Sequence, residues 1–119
     1  MILGVGVDLV DLNRFENKLE TNQNLAKRLF TDNELEAKTQ SLAGYFAAKE
    51  AVIKAFGHSN GVSFQEIEIC KDEHGKPELL VLGNTAEVAK KAGISKWHLS
   101  ISHDAGMAIA MVIAEGARP

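Results

Sequence analysis

The stretch LAGYFAAKEAVIKAFG, Leu42–Gly57, decides the architecture, because its helical pattern is apolar nearly all round. Leu42, Tyr45, Phe46, Val52, Ile53 and Phe56 form one side, and Ala47, Ala48, Ala51 and Ala55 the other. Such a helix belongs inside a protein. Gly57 suits the left-handed position that closes it. Lys49 nevertheless falls near the middle of the large apolar stripe, and Glu50 and Lys54 stack at its edge one turn apart. Burying an unpaired charge is costly. Each of the three must be paired, reach water along its stem, or meet a ligand. The plainest structural reading is a Glu50–Lys54 ion pair across the turn.

The elements on either side complete an α+β pattern. Ile2–Val10 alternates, with Leu3, Val5, Val7 and Leu9 on a large apolar face and Ile2, Gly4, Gly6, Asp8 and Val10 on the other. Glycine inside a strand marks close approach by a backbone or ligand, and Asp8 projects from that glycine face. A short helix is predicted from about Asp11, burying Leu12, Phe15 and Leu19 and exposing Arg14 and Lys18. Another is predicted over 22–30, and the capping-box pattern of Thr31 and Glu34 predicts a third. Residues 65–71 and 77–82 read as a hairpin about the turn at 72–76. Asn84 with Glu87 predicts a helix to about Ala92. The last strands are Trp97–His103 and Gly106–Ala114; the second is apolar on both faces, so cover is expected on both sides. The expected whole is one domain spanning residues 1–119, a mainly antiparallel sheet packed on the long buried helix.

Composition excludes several function classes. A chain of 119 residues with a net charge of -3 lacks the basic excess of nucleic-acid binders. Its lone cysteine, Cys70, supplies neither a disulfide framework nor zinc spacing, which fits a reducing cytoplasm. The N-terminus reads as a strand and not a signal peptide, and no apolar run approaches the roughly 20 residues that span a bilayer. There is no GxxxxGK[ST] loop, no third glycine after Gly4-Val5-Gly6, and no G-x-S-x-G elbow. Locally, Arg14, Lys18, Lys27 and Arg28 outnumber Glu16 and Glu20, so this segment can face an acidic partner or simply be a solvated helix face.

Asp8 and Glu50 offer two hard oxygen ligands with Lys54 one turn beyond, a set matching magnesium held between carboxylates and substrate phosphates. Along 97–104, His98, Ser100 and Ser102 form a polar row, and His103 ends the strand, placed for base catalysis, phosphate binding or a structural hydrogen bond.

The blocks Gly4–Asp11 (GVGVDLVD), Arg28–Thr31 with Glu34, Phe46–Gly57 (FAAKEAVIKAFG) and Leu99–Asp104 (LSISHD) resemble, in order, the signatures of bacterial holo-acyl-carrier-protein synthases. The resemblance implies a short trimeric enzyme with coenzyme A bound between subunits. Its reaction moves 4'-phosphopantetheine from coenzyme A to a serine of acyl carrier protein, in support of fatty acid biosynthesis. It implies magnesium on Asp8 and Glu50, Lys54 beside the pyrophosphate, and His103 on coenzyme A or assisting proton movement. Gly57 lies in the coenzyme A-binding block. Arg14 matches a carrier-docking basic residue, a surface that Lys18 and Arg28 extend. Glu50, Lys54 and His103 are the catalytic candidates, and the serine proton can pass to Glu50, to water or to His103. The rival reading is a non-catalytic module that binds coenzyme A or the carrier.

Overall fold

The computed structural model describes all 119 residues. In chain order the elements are β1 (Ile2–Asp11), α1 (Leu12–Thr21), α2 (Leu25–Leu29), α3 (Thr39–Phe56), β2 (Ile67–Lys71), β3 (Pro77–Val81), α4 (Gly83–Lys91), β4 (Ile94–Asp104) and β5 (Met107–Gly116). An antiparallel sheet ordered β1-β5-β4 carries α3 on one face, and β2 and β3 form a separate two-stranded sheet. The α+β expectation holds, with the hairpin as a second small sheet.

The glycine face of β1 is the face that packs. A Cβ at Gly4 would overlap the carbonyl of Ala55, and one at Gly6 that of Ala51. Ala47, Ala51 and Ala55 lie one turn apart along α3, so the small residues of helix and strand meet almost backbone to backbone. The N-terminal half of α3 crosses toward β4, where Gly44 lies against Ile101 and His103. The helix therefore runs diagonally over the sheet, buried by Ala108, Ala110, Val112 and Ala114 of β5. Gly57 ends it at φ +86°, as the C-terminal glycine predicts.

Several local expectations change. The second helix shrinks to Leu25–Leu29. Thr31 and Glu34 do make the reciprocal capping bonds, Glu34 N donating to Thr31 Oγ1 (3.3 Å) and Thr31 N to Glu34 Oε1 (2.9 Å). They open only a 3-10 turn, Glu34–Glu36. The reason is that Glu34 is buried: Lys49 Nζ donates to its Oε1 at 2.6 Å, and Ile69 N donates to its Oε2 at 2.8 Å. This pair answers the puzzle of Lys49, which is wholly out of solvent. Asn84 does not cap α4; Glu66 reaches across instead and accepts from the amides of Asn84 and Thr85.

The cover expected on both faces of β5 is present on one only. Val5, Val7 and Leu9 of β1 and Ile109 and Met111 of β5 remain exposed. His98, Ser100 and Ser102 of β4 pair with Ile113, Met111 and Ile109 and so flank the same apolar face.

Gly6→Ala is expected to destabilise the protein by about 3 kcal/mol, because a rigid helix backbone must move to admit the methyl. Urea unfolding measures this, and an unchanged midpoint would contradict the close packing of β1 on α3.

Candidate active site

Where β1 leaves the glycine contact, its next inward-facing residue is Asp8. Glu50 and Lys54 of α3 face the same edge. Lys54 Nζ donates to Asp8 Oδ1 (3.1 Å) and to the carbonyl of Val7 (3.0 Å). The expected Glu50–Lys54 bond is therefore not made, because the ammonium turns to the strand. Lys54 keeps 54% side-chain exposure and is free to meet an incoming anion, whereas Asp8 keeps 18%.

Glu50 is left without a hydrogen-bonded cation. Its carboxyl is held above the ordinary glutamate range, first by burial and then by the charge of Asp8, with Lys54 partly opposing. Two partly buried carboxylates close enough to repel are a poor arrangement for stability and a good one for a cation. No cluster of three or more His, Cys, Asp or Glu side chains exists in the chain. The donor set thus suits an ion that takes its other ligands from water and substrate phosphates, as magnesium does.

Asp8 and Glu50 line a cavity of about 460 Å³, walled by Phe15, Phe46 and Phe64, with Arg14 and Lys18 from α1 at its basic side. Asp11 caps α1 by accepting from Arg14 N (2.9 Å), which fixes where Arg14 leaves the helix. Arg28 is exposed on α2 and does not line this cavity.

His103 is elsewhere. The register runs Asp8–Ala110–Ile101 and Val10–Ala108–His103 across the three strands. His103 thus sits on the opposite edge strand from Asp8, beside Ser41, Tyr45 and Lys71 around a second cavity of about 160 Å³. Its Nε2 lies 2.9 Å from the Gln40 carbonyl. A carbonyl only accepts, so Nε2 is the donor in this contact. Gly57 faces open space at the end of α3. Within one chain, then, Asp8, Glu50, Arg14 and Lys18 line one cavity, Lys54 is tied to it through Asp8, and His103, Gly57 and Arg28 do not line it. Phe15 and Phe46 were read from the sequence only as core, and Phe64 carried no reading; their role as cavity walls had no signal there, because periodicity does not distinguish a packed face from a lined one.

The model of the 4'-phosphopantetheinyl transferase superfamily matches residues 4–112. A holo-acyl-carrier-protein synthase of Clavibacter michiganensis subsp. michiganensis is 49% identical over 119 residues, covering all of both chains. The chain belongs to the holo-acyl-carrier-protein synthase family. Among solved structures, the family member from Neisseria meningitidis is 37% identical with a TM-score of 0.90, over 97% of this chain and 99% of that one. The Chronobacterium ammoniagenes ACPS-CoA complex is 32% identical with a TM-score of 0.87, over 97% and 98%. No helix is long and apolar enough to cross a membrane.

The raised Glu50 carboxyl has a sign that can be worked out. Below its ordinary value both folded and unfolded states are protonated and nothing is lost. As pH rises through the ordinary value and then the folded one, the folded state holds more protons, so stability falls and stays lower above that window. Glu50→Gln removes the penalty. The variant should be more stable than the parent at neutral pH, with the difference shrinking in acid; denaturant titrations across pH measure it, and equal stability at neutral pH contradicts it.

Proposed function

We propose that this protein transfers 4'-phosphopantetheine from coenzyme A to a serine of apo-acyl carrier protein, releasing adenosine 3',5'-bisphosphate. The observation that carries this is the meeting of Asp8 and Glu50 at one cavity, with Lys54 bonded to Asp8, in a chain with full-length likeness to holo-acyl-carrier-protein synthases. The serine oxygen forms a bond to the β-phosphorus, the bridging P–O bond breaks, and its electron pair leaves on the bisphosphate. The serine proton must go to a base. Glu50, which lines the cavity, is the candidate acceptor within this chain, beside water.

Asp8 and Glu50 are the residues that would hold magnesium, which when bound offsets the negative charge of the pyrophosphate. Lys54 contributes an ammonium that can turn from Asp8 to a phosphate oxygen. Arg14 and Lys18 orient an acidic carrier at the cavity, and Arg28 extends the basic surface from α2. A cytoplasmic location belongs to the same proposal, supported by the single free cysteine, Cys70.

The active assembly is proposed to be a trimer with sites between subunits. Its support is twofold. The uncovered face of Val5, Val7, Leu9, Ile109 and Met111 is a contiguous apolar surface of the kind that other chains cover. His103 lies on the opposite edge strand from Asp8 within one chain, and a second copy can bring its His103 to the site.

Incubation with coenzyme A, magnesium and apo-acyl carrier protein should add roughly 340 Da to the carrier by phosphoryl transfer, as read by mass spectrometry. Asp8→Ala should abolish this and also remove the rise in melting temperature that magnesium gives the parent; full transfer by Asp8→Ala sinks the metal assignment. Mixing Asp8→Ala with His103→Ala after mild dissociation should restore transfer, because mixed assemblies contain some sites with both residues intact. No recovery, with mixed assemblies verified by mass, would refute sites shared between subunits.

A further inference from the structure

Lys49 and Glu34 have no part in the roles assigned above, yet theirs is the one ion pair with both side chains wholly buried. Such a pair is often no more stabilising than apolar residues of the same volume, so its presence calls for another reason. Its bonds point to one. Besides Glu34, Lys49 Nζ donates to the carbonyl of Phe64 at 2.8 Å. The Phe64 ring stacks on Phe46 (centroids 6.0 Å, 29° between planes), and Phe46 on Phe15 (5.6 Å, 29°). These are the three rings that wall the cavity holding Asp8, Glu50, Arg14 and Lys18. A second route reaches the same ring: Lys49 Nζ lies 5.5 Å from the centroid of Phe30, which meets Phe15 edge-on at 6.2 Å.

We infer that the buried Lys49–Glu34 pair is a positioning device for the aromatic wall of this cavity, holding Phe64, Phe46 and Phe15 where the serine-bearing segment of the carrier seats. The pair is suited to that task because a hydrogen bond fixes distance and direction, whereas apolar contact is non-directional. Lys49 also precedes Glu50 on α3, so the same bonds fix the rotation of the helix that presents the carboxylate. Glu34 is anchored in turn by the amides of Thr31 and Ile69, which ties the wall to β2.

The role rests on the transferase reading, and the experiment separates the two. A parent protein that transfers nothing overturns that reading, whereas this inference is judged on variants of an active parent. Lys49→Met combined with Glu34→Gln removes both charges and keeps an acceptor for the Ile69 amide. Phe64→Leu leaves the pair intact and removes the ring from a half-exposed position. Each variant that melts cooperatively should show a KM for apo-carrier raised about tenfold or more, with the KM for coenzyme A within about twofold of the parent. Phe64→Leu keeps the test decisive if the double variant does not fold. A parent-like carrier KM in either folded variant, or equal rises in both constants, overturns the positioning role.

Discussion

The approach of β1 to α3 at Gly4 and Gly6 is the constraint on which the site depends. With no Cβ on either glycine, the strand lies against the backbone of Ala51 and Ala55, and the helix is drawn in to the sheet. The next residue on that strand face is Asp8, and on the helix Glu50 and Lys54 immediately precede the contact alanines Ala51 and Ala55. Carboxylates distant in sequence thus become neighbours through backbone contact, without a dedicated loop. Side chains placed on a strand and a helix are held more firmly than on a loop, which is what a site built from few protein ligands requires.

A different logic holds the other half of the molecule. Lys49 and Glu34 bring a charge and its counter-charge into the interior, and every polar atom of the two is engaged by the amides of Thr31 and Ile69, the Phe64 carbonyl or each other. Full satisfaction makes such a network tolerable in a low-dielectric core. Burial still opposes the charge on Lys49, pushing its pKa down, while Glu34 pulls it back up. Glu50 and Lys49, adjacent on one helix, therefore meet opposite fates: one charge is neutralised by a partner inside the fold, the other is left open toward the cavity.

The division of candidate residues between the two edges of the sheet bears on the proposed assembly. α3 crosses diagonally, so its N-terminal half stands over His103 and its C-terminal half over Gly4 and Gly6, from where Lys54 reaches Asp8. The face of the sheet away from the helix is apolar in its two strands β1 and β5 and polar in β4, where His98 bonds Glu115 at 2.7 Å. That apolar face and the separation of His103 from Asp8 across the sheet are the two observations on which the proposed assembly rests.

The sequence by itself determined the element order, the α3 helix with its glycine end, the inward glycine face of β1 and the candidacy of Asp8, Glu50 and Lys54, because these follow from local periodicity and from backbone freedoms unique to glycine. It could not determine partners. Lys49 was equally open to pairing, solvent or ligand until the fold brought Glu34 to it from fifteen residues away. Glu50 and Lys54 had the spacing of an ion pair, yet Asp8 of β1 captured the lysine. Asn84 had the chemistry of a cap, and Glu66 took the task from another element. Whether β5 was covered on both faces was equally beyond a one-dimensional pattern, since apolar alternation records what a surface needs and not which surface meets it. Each of these outcomes was decided by distance between segments far apart in the chain, and tertiary packing alone sets that distance.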